Sequence, residues 1–583
     1  MPPSATPRCC WVIADKAKQF VLKKTKRTMK TKKICIMIAM ALMPLLATAQ
    51  PAAVKNAGKA VFTLTTFKAD GSLLASSHGI FVGKNGEAIS QLKPFEGAAS
   101  AVVIDNSGKK MNVIRILGAN DIYDVIKFRV DGKTSPAPIA SRQEQAGAKV
   151  WVVGYAKGSA VPEENSIKSV EMFNTSYPYY ILSQTAPEAN ASCPLVNSAG
   201  EVLALVQPSL TSSETHATSA QFANSLTVSG LSQNDPVLRR IGITAALPQD
   251  YQQAQIALVM APQVLDEKKY DELINDFIEQ FPNYTDGYQA RAEREVEKHM
   301  FGEADKDMQT VISKAKNKAD AHFSYARLIY SKELRMQDVP YAPWSFAKVA
   351  EEAQKAYDID HQPLYQHLIY QALFAQNKYQ EAYDGFLSLT KTNFRNPELF
   401  YEAALCKKQM GAETDEVLAL IDSAVVNTDT LRFNEAAPYF MARGDIEREA
   451  GRYRDAVFDY ARVELLMQGR MSADFYYMRE QVEIKAKLFQ QAISDINHAI
   501  ALDSQEPLYY AEKASLLLRV NKKEEALDAA RQCVGIAPDY DEGHLVLGMA
   551  LVQSGQKSEG LQHLQKAKEL GNTQAEELIS KYQ

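Results

Sequence analysis

Two patterns of hydrophobic and polar positions divide the chain near Pro248. Between about residues 55 and 248, short apolar runs alternate with turn residues. Residues 60–67 run into Asp70-Gly71, and residues 79–83 run into an Asn85-Gly86 turn that leads to Glu87-Ala88-Ile89-Ser90. Further strands are predicted at 101–105, 111–117, 125–130, 149–154 and 202–206. Short strands punctuated in this way predict an all-β sandwich or barrel. After Pro248 the apolar positions take the helical period, and the sequence resembles itself at intervals near 34 residues.

The clearest repeat unit reads His544-Leu545-Val546-Leu547-Gly548-Met549-Ala550-Leu551, then Gly560-Leu561, Leu564 and Ala567. Glycines at 548 and 560 suit a helix pair whose crossing admits no bulky side chain. One unit earlier the same frame holds Tyr510, Ala514, Leu517, Ala526, Ala530 and Cys533, closed by Pro538. Upstream lie Ala492, Ile496 and Ala499, and then Phe440, Gly444, Ala456 and Tyr460 around the turn Gly451-Arg452-Tyr453. Lys378-Tyr379-Gln380-Glu381-Ala382 with Phe386, and Phe301-Gly302-Glu303-Ala304 with Met308, extend the series. This pattern resembles tetratricopeptide (TPR) repeats over about residues 252–583. The spacing from Ala304 to Ala382 and on to Ala456 departs from the strict period, so longer helices or a degenerate repeat are expected there, with Trp344, Ala347, Ala350 and Ala353 in one such unit. A hairpin cannot bury its apolar stripe alone, so the pairs must stack, and the resemblance implies an all-α TPR solenoid with a concave groove. The frame places Arg519 and Gln553 near the ends of two first helices. They are candidates for gripping a peptide carboxylate or backbone, or else solvated helix ends.

In the β region, Ala189-Asn190-Ala191-Ser192-Cys193-Pro194-Leu195-Val196-Asn197-Ser198-Ala199-Gly200 resembles the nucleophile loop of trypsin-like serine proteases of the HtrA type, G-N-S-G-G-P-L-V-N. The resemblance covers roughly the first third of the chain after residue 49 and implies an N-terminal trypsin-like double β-barrel. Anchored on Pro194-Leu195-Val196-Asn197, it puts Ala191 at the nucleophile, with Ala189, Ser192 and Cys193 for the glycines that shape the oxyanion hole. The strand 86–93 should end in the catalytic histidine, where Lys93 stands, and 121–128 matches the aspartate strand, with Asp124 retained. Such chemistry needs a hydroxyl nucleophile, an imidazole to take its proton and a carboxylate to orient the imidazole. Only the carboxylate is left. A shift of one residue offers Ser192 or Cys193 as rival nucleophiles without supplying a base. His78 and His216 are the histidines of this region, and His78 falls well before the expected position. Lys93 reads as a solvated lysine, or as a desolvated base lacking a nucleophile.

Lys30, Lys32 and Lys33 precede an apolar run, residues 34–46, that ends in Ala47-Thr48-Ala49, the layout of a Sec signal peptide cleaved before Gln50. Met29 stands where such a peptide would start, so residues 1–28 are expected to be an upstream extension. The run is too short to span a bilayer. An exported protein, periplasmic or secreted, is expected. Residues 1–49 hold ten Lys/Arg and one acid, so the remainder carries 55 basic against 69 acidic side chains, a formal charge of about −14. That balance argues against nucleic acid as a partner. Cys193, Cys406 and Cys533 are widely separated and form neither a disulfide framework nor a metal pattern. No phosphate loop, metal-ligand cluster or dinucleotide fingerprint occurs, so no cofactor and no metal are expected.

These readings give a multidomain β + α chain: residues 1–49 extension and signal peptide, 50–248 a trypsin-like domain with a disabled triad, 249–583 TPR repeats. The function they imply is an exported, non-catalytic scaffold that binds a protein or peptide through the TPR groove and through the old protease cleft. The rival is a serine-type peptidase with an unorthodox site that recruits substrate through the repeats.

Overall fold

The computed structural model of the chain describes residues 51–583 apart from 157–158, 173–176, 209–213 and 430–433. The expected extension, signal peptide and cleavage point lie outside the described residues. Two compact units divide the chain, residues 1–291 and 292–583.

The first unit contains twelve described strands in two closed antiparallel barrels. Barrel one runs β1 (Val61–Phe67), β2 (Leu73–Phe81), β3 (Glu87–Ser90), β6 (Val125–Val130), β5 (Lys110–Asn120), β4 (Ser100–Asp105) around its wall. Barrel two runs β10 (Pro194–Val196), β11 (Val202–Pro208), β12 (Thr215–Ser219), β9 (Pro178–Leu182), β8 (Ser159–Met172), β7 (Lys149–Ala156). This is a trypsin-like double barrel. Period-two alternation turns Phe62, Leu64 and Thr66 of β1 inward, and Phe62 packs against Phe81 with ring centroids 4.6 Å apart, while Phe95 meets Phe128 at 5.1 Å. Gly86 turns the chain between β2 and β3 at φ +90°, where a Cβ would lie 2.5 Å from the Val130 carbonyl oxygen. In barrel two, Val152, Tyr180, Leu182, Cys193, Leu195 and Val206 share a core, while Trp151 is buried in the cluster that also holds the barrel-one core.

Two helices, Tyr251–Met260 and Glu267–Gln280, follow the barrels within the same unit. Each starts on an aspartate whose carboxylate accepts a backbone N–H of the first turn: Asp250 from Gln253 at 3.0 Å and Asp266 from Lys269 at 2.9 Å. Arg115 of β5 ties the second helix to barrel one through Asp276 at 2.6 Å.

The second unit is helical among its described residues, built of successive antiparallel pairs such as Ala437–Glu449 with Tyr453–Leu466, Ala473–Lys485 with Phe489–Leu502, Pro507–Arg519 with Lys523–Ile536, and Asp541–Gln553 with Lys557–Glu569. The glycine crossing is close. A Cβ on Gly548 would meet the Gly560 carbonyl oxygen at 2.9 Å, and one on Gly560 would meet that of Gly548 at 2.7 Å. The irregular stretch includes an 18-residue helix, Lys318–Arg335. Trp344 lies just before helix Phe346–Ile359, buried, and donates its indole N–H to the Tyr325 hydroxyl at 3.1 Å. No helix among the described residues is long and apolar enough to cross a membrane.

Candidate functional site

The positions expected from sequence to match a protease triad lie where strands of both barrels approach the loop 188–193. Its N-terminal part is a 3₁₀ turn, Glu188–Asn190, which draws the loop's own amides inward. Asn190 N–H donates to the Pro187 carbonyl, Ala191 N–H to Glu188 and Cys193 N–H to Asn190, at 2.9, 2.9 and 3.0 Å. An oxyanion hole needs backbone donors aimed at the developing charge. The Ala191 N–H is taken by the Glu188 carbonyl within the loop.

Ser192 sits in the left-handed region at φ +63° and is fully buried. Its backbone N–H donates to the Val206 carbonyl at 2.9 Å. Its hydroxyl donates to Gln91 Oε1 at 2.9 Å, lies 2.9 Å from the Ser77 hydroxyl, and accepts a long hydrogen bond from the Gln91 N–H at 3.4 Å. An amide oxygen accepts a hydrogen bond but is far too weak a base to remove a proton near neutral pH. The Ser192 hydroxyl thus has an amide and a second hydroxyl as its neighbours. Cys193 is also fully buried, in the core of barrel two.

Asp124, the expected carboxylate, is an acceptor for backbone N–H groups. It lies at the start of β6 with φ +48°, and its Oδ1 accepts the backbone N–H of Lys93 at 2.8 Å. Burial raises its pKa above the usual carboxylate value, against the lowering effect of the Lys93 and Leu92 N–H groups and of the Lys93 charge. The Lys93 side chain is exposed; it is the backbone of Lys93 that meets the carboxylate. Behind Asp124, the Tyr123 carbonyl accepts from Gln207 Nε2 at 2.9 Å and Thr218 Oγ1 at 3.1 Å, and Gln207 in turn accepts from the Tyr179 hydroxyl at 3.1 Å.

His78, set apart by sequence position, is brought to the loop 188–193 by β2. It hydrogen-bonds the backbone of Ala191, and burial lowers its pKa more than this bond raises it. His216, on β12, lies against the Tyr179 ring at 5.6 Å, and its Nδ1 is buried without a hydrogen-bond partner. Lys93, Asp124, Ala191 and Ser192 are thus brought into one neighbourhood. Sequence reasoning missed Ser77 and Gln91, whose part rests on a contact between residues more than 100 positions apart.

In the second unit, Arg519 and Gln553 are the last residues of helices Pro507–Arg519 and Asp541–Gln553. Arg519 is exposed, and its charge acts on Glu512 of its own helix and on Glu480 of the preceding first helix. Among the described residues no group of three or more His, Cys, Asp or Glu side chains is placed to hold a metal ion.

No family model matches the chain. A segment of 87 residues, 15% of this chain, is 30% identical to the small glutamine-rich tetratricopeptide repeat-containing protein 2 of Mycosarcoma maydis. The match spans about a quarter of that protein's length, 25%. Among solved structures, the chain is similar to the Rv3671c protease in its inactive form, at 16% identity over 31% of this chain and 94% of that one, with a TM-score of 0.26.

Proposed function

We propose that this chain is an exported, non-catalytic scaffold, in which the double barrel has lost turnover and the TPR-like unit binds a protein or peptide. The observation that carries the reading is the state of Ser192: the rival nucleophile is fully buried and its hydroxyl is held by Gln91 and Ser77. Ala191 has no nucleophilic side-chain atom, its N–H is bonded to Glu188, and Lys93 is exposed. Loss of the nucleophile or base of such a triad leaves only the residual catalysis of binding and oxyanion stabilisation. Repeat arrays of stacked helix pairs offer extended concave binding surfaces. The barrel cleft is then a passive peptide groove, and Arg519 and Gln553 line the repeat groove.

The test is hydrolysis of unfolded casein and a mixed peptide library by the chain from Gln50, beside its Ala191→Ser and Ser192→Ala variants. No turnover is expected from the parent chain or from Ser192→Ala. Turnover by the parent chain that disappears in Ser192→Ala overturns the reading and makes this a peptidase. For the binding half, capture of envelope proteins by the parent chain should weaken in an Arg519→Ala/Gln553→Ala double variant.

A further inference from the structure

Four successive helix pairs share one frame, in which Gly444, Glu480, Ala514 and Gly548 stand at equivalent positions of the first helix. Three positions further on stand Glu447, Glu483, Leu517 and Leu551. The two leucines are fully buried, and the two glutamates, at 9% and 3% exposure, are buried in their place. Two adjacent pairs therefore carry a carboxyl where the next two carry a leucine.

The surroundings of the two glutamates are duplicated at an interval of 36 residues. Arg443 clamps Asp459 through Nε and Nη2, both at 2.6 Å, and Arg479 clamps Asp495 in the same way at 2.6 and 2.9 Å. The third guanidinium nitrogen reaches an acid on the preceding helix, Asp422 for Arg443 and Glu464, at 2.8 Å, for Arg479. Each guanidinium lies over an aromatic ring, Arg443 over Phe440 at 5.2 Å and Arg479 over Tyr476 at 5.5 Å. One cation thus already balances two carboxylates. The third carboxyl, that of Glu447 or Glu483, has its Oε2 buried without a partner. A buried carboxylate without a balancing charge is held in its protonated form instead.

We propose that Glu447 and Glu483 form a proton-operated joint in the middle of the array: protonated, they pack as neutral replacements for leucine, and ionised, they loosen the helix pairs 437–466 and 473–502. Other groups bear on each of them. Glu447 meets Asp459 and Asp455, which oppose its ionisation, and Arg443, which favours it, and it also feels Arg452. Glu483 meets Asp495, Glu480 and Glu464 against it and Arg479 for it. Burial is the largest cause in both and pushes Glu447 up to about 7 and Glu483 up to about 8. Glu480, facing Glu512, is pushed up to about 8 by the same cause. From the ordinary value of 4.5 upward, the folded array holds protons that the unfolded chain releases. The stability these groups contribute is therefore fully present below that value and falls as pH rises through about 8.

Hydrogen exchange of the full chain, corrected for the intrinsic pH dependence of amide exchange, tests this. Between pH 6 and pH 9 protection over residues 437–502 is expected to fall about tenfold or more, since one pKa unit is a tenfold change. A Glu447→Gln/Glu483→Gln variant should keep most of that protection, with Glu480→Gln as the control for the third buried acid. Flat protection in the parent chain, or the same loss in the double variant, overturns the proposal. Should the double variant misfold, carboxyl-carbon NMR of the parent chain decides: signals assigned to Glu447 and Glu483 by single Gln variants must titrate above pH 6.5, and titration of both near 4.5 overturns it.

Discussion

Ser192 donates its hydroxyl to the Gln91 side-chain oxygen at 2.9 Å, which ties the loop of barrel two to the wall of barrel one. With Ser77 as the other neighbour, that hydroxyl is a buried cross-link. Ser192→Ala leaves buried Ser77 and half-buried Gln91 each short of a partner, and an unsatisfied buried group costs about 1–3 kcal/mol. Chemical denaturation should register that loss in the first unit, while casein hydrolysis stays unchanged at background. A variant as stable as the parent would show that the hydroxyl contributes nothing.

Asp124 should behave as a structural acceptor. Asp124→Asn retains an oxygen for the Lys93 N–H and should fold with little penalty, whereas Asp124→Ala should lose about 1–3 kcal/mol. Equal melting temperatures for the two variants would contradict this role.

The crossing at Gly548 leaves no room for a side chain, since a Cβ would stand 2.7 Å from Leu564 Cγ as well as close to Gly560. Gly548→Val should destabilise the last helix pair by about 1–3 kcal/mol through overpacking. Faster exchange of amides in 541–569 than in 507–536 is the expected readout.

The same helix pair should weaken in acid. His544 Nε2 lies 2.8 Å from the Pro538 carbonyl and so carries the proton there, which leaves its Nδ1 to accept from His563 Nδ1 at 2.9 Å. Burial, and then His544, lower the pKa of His563 from 6.5. A depressed imidazole contributes stability that is present above its unfolded value and lost as pH falls below it. Protection of 541–569 should thus drop between pH 7.5 and 5.5, opposite in sign to the glutamate joint, and His563→Gln should flatten the slope.

Much of this architecture was legible in the chain because local pattern and tertiary environment agree. The strands 60–67, 125–130 and 149–154 are apolar enough to declare themselves, and β1, β6 and β7 occupy them. Strands β8, β9 and β12 are different. Their segments carry Pro162, Glu163, Glu164, Pro178 or Thr215-His216, and ring closure, which leaves no strand unpaired, puts them in the sheet despite weak local preference. The loss of glycines around 189–193 was readable, but the inward turn of the Ala191 amide was not, because it depends on backbone geometry. Glu447 and Glu483 escaped for another reason. A charge in an amphipathic helix reads as solvent-facing, and only the arginine clamps reveal that these two are inside.

Trp151 in β7 and Trp344 before helix Phe346–Ile359 are both buried, one in each compact unit, and they are the two tryptophans of the chain after Gln50. The protein thus carries its own pair of optical reporters. Replacing either indole by phenylalanine leaves an emission signal that follows the unfolding of a single unit, so that the β and helical halves can be melted together and observed separately.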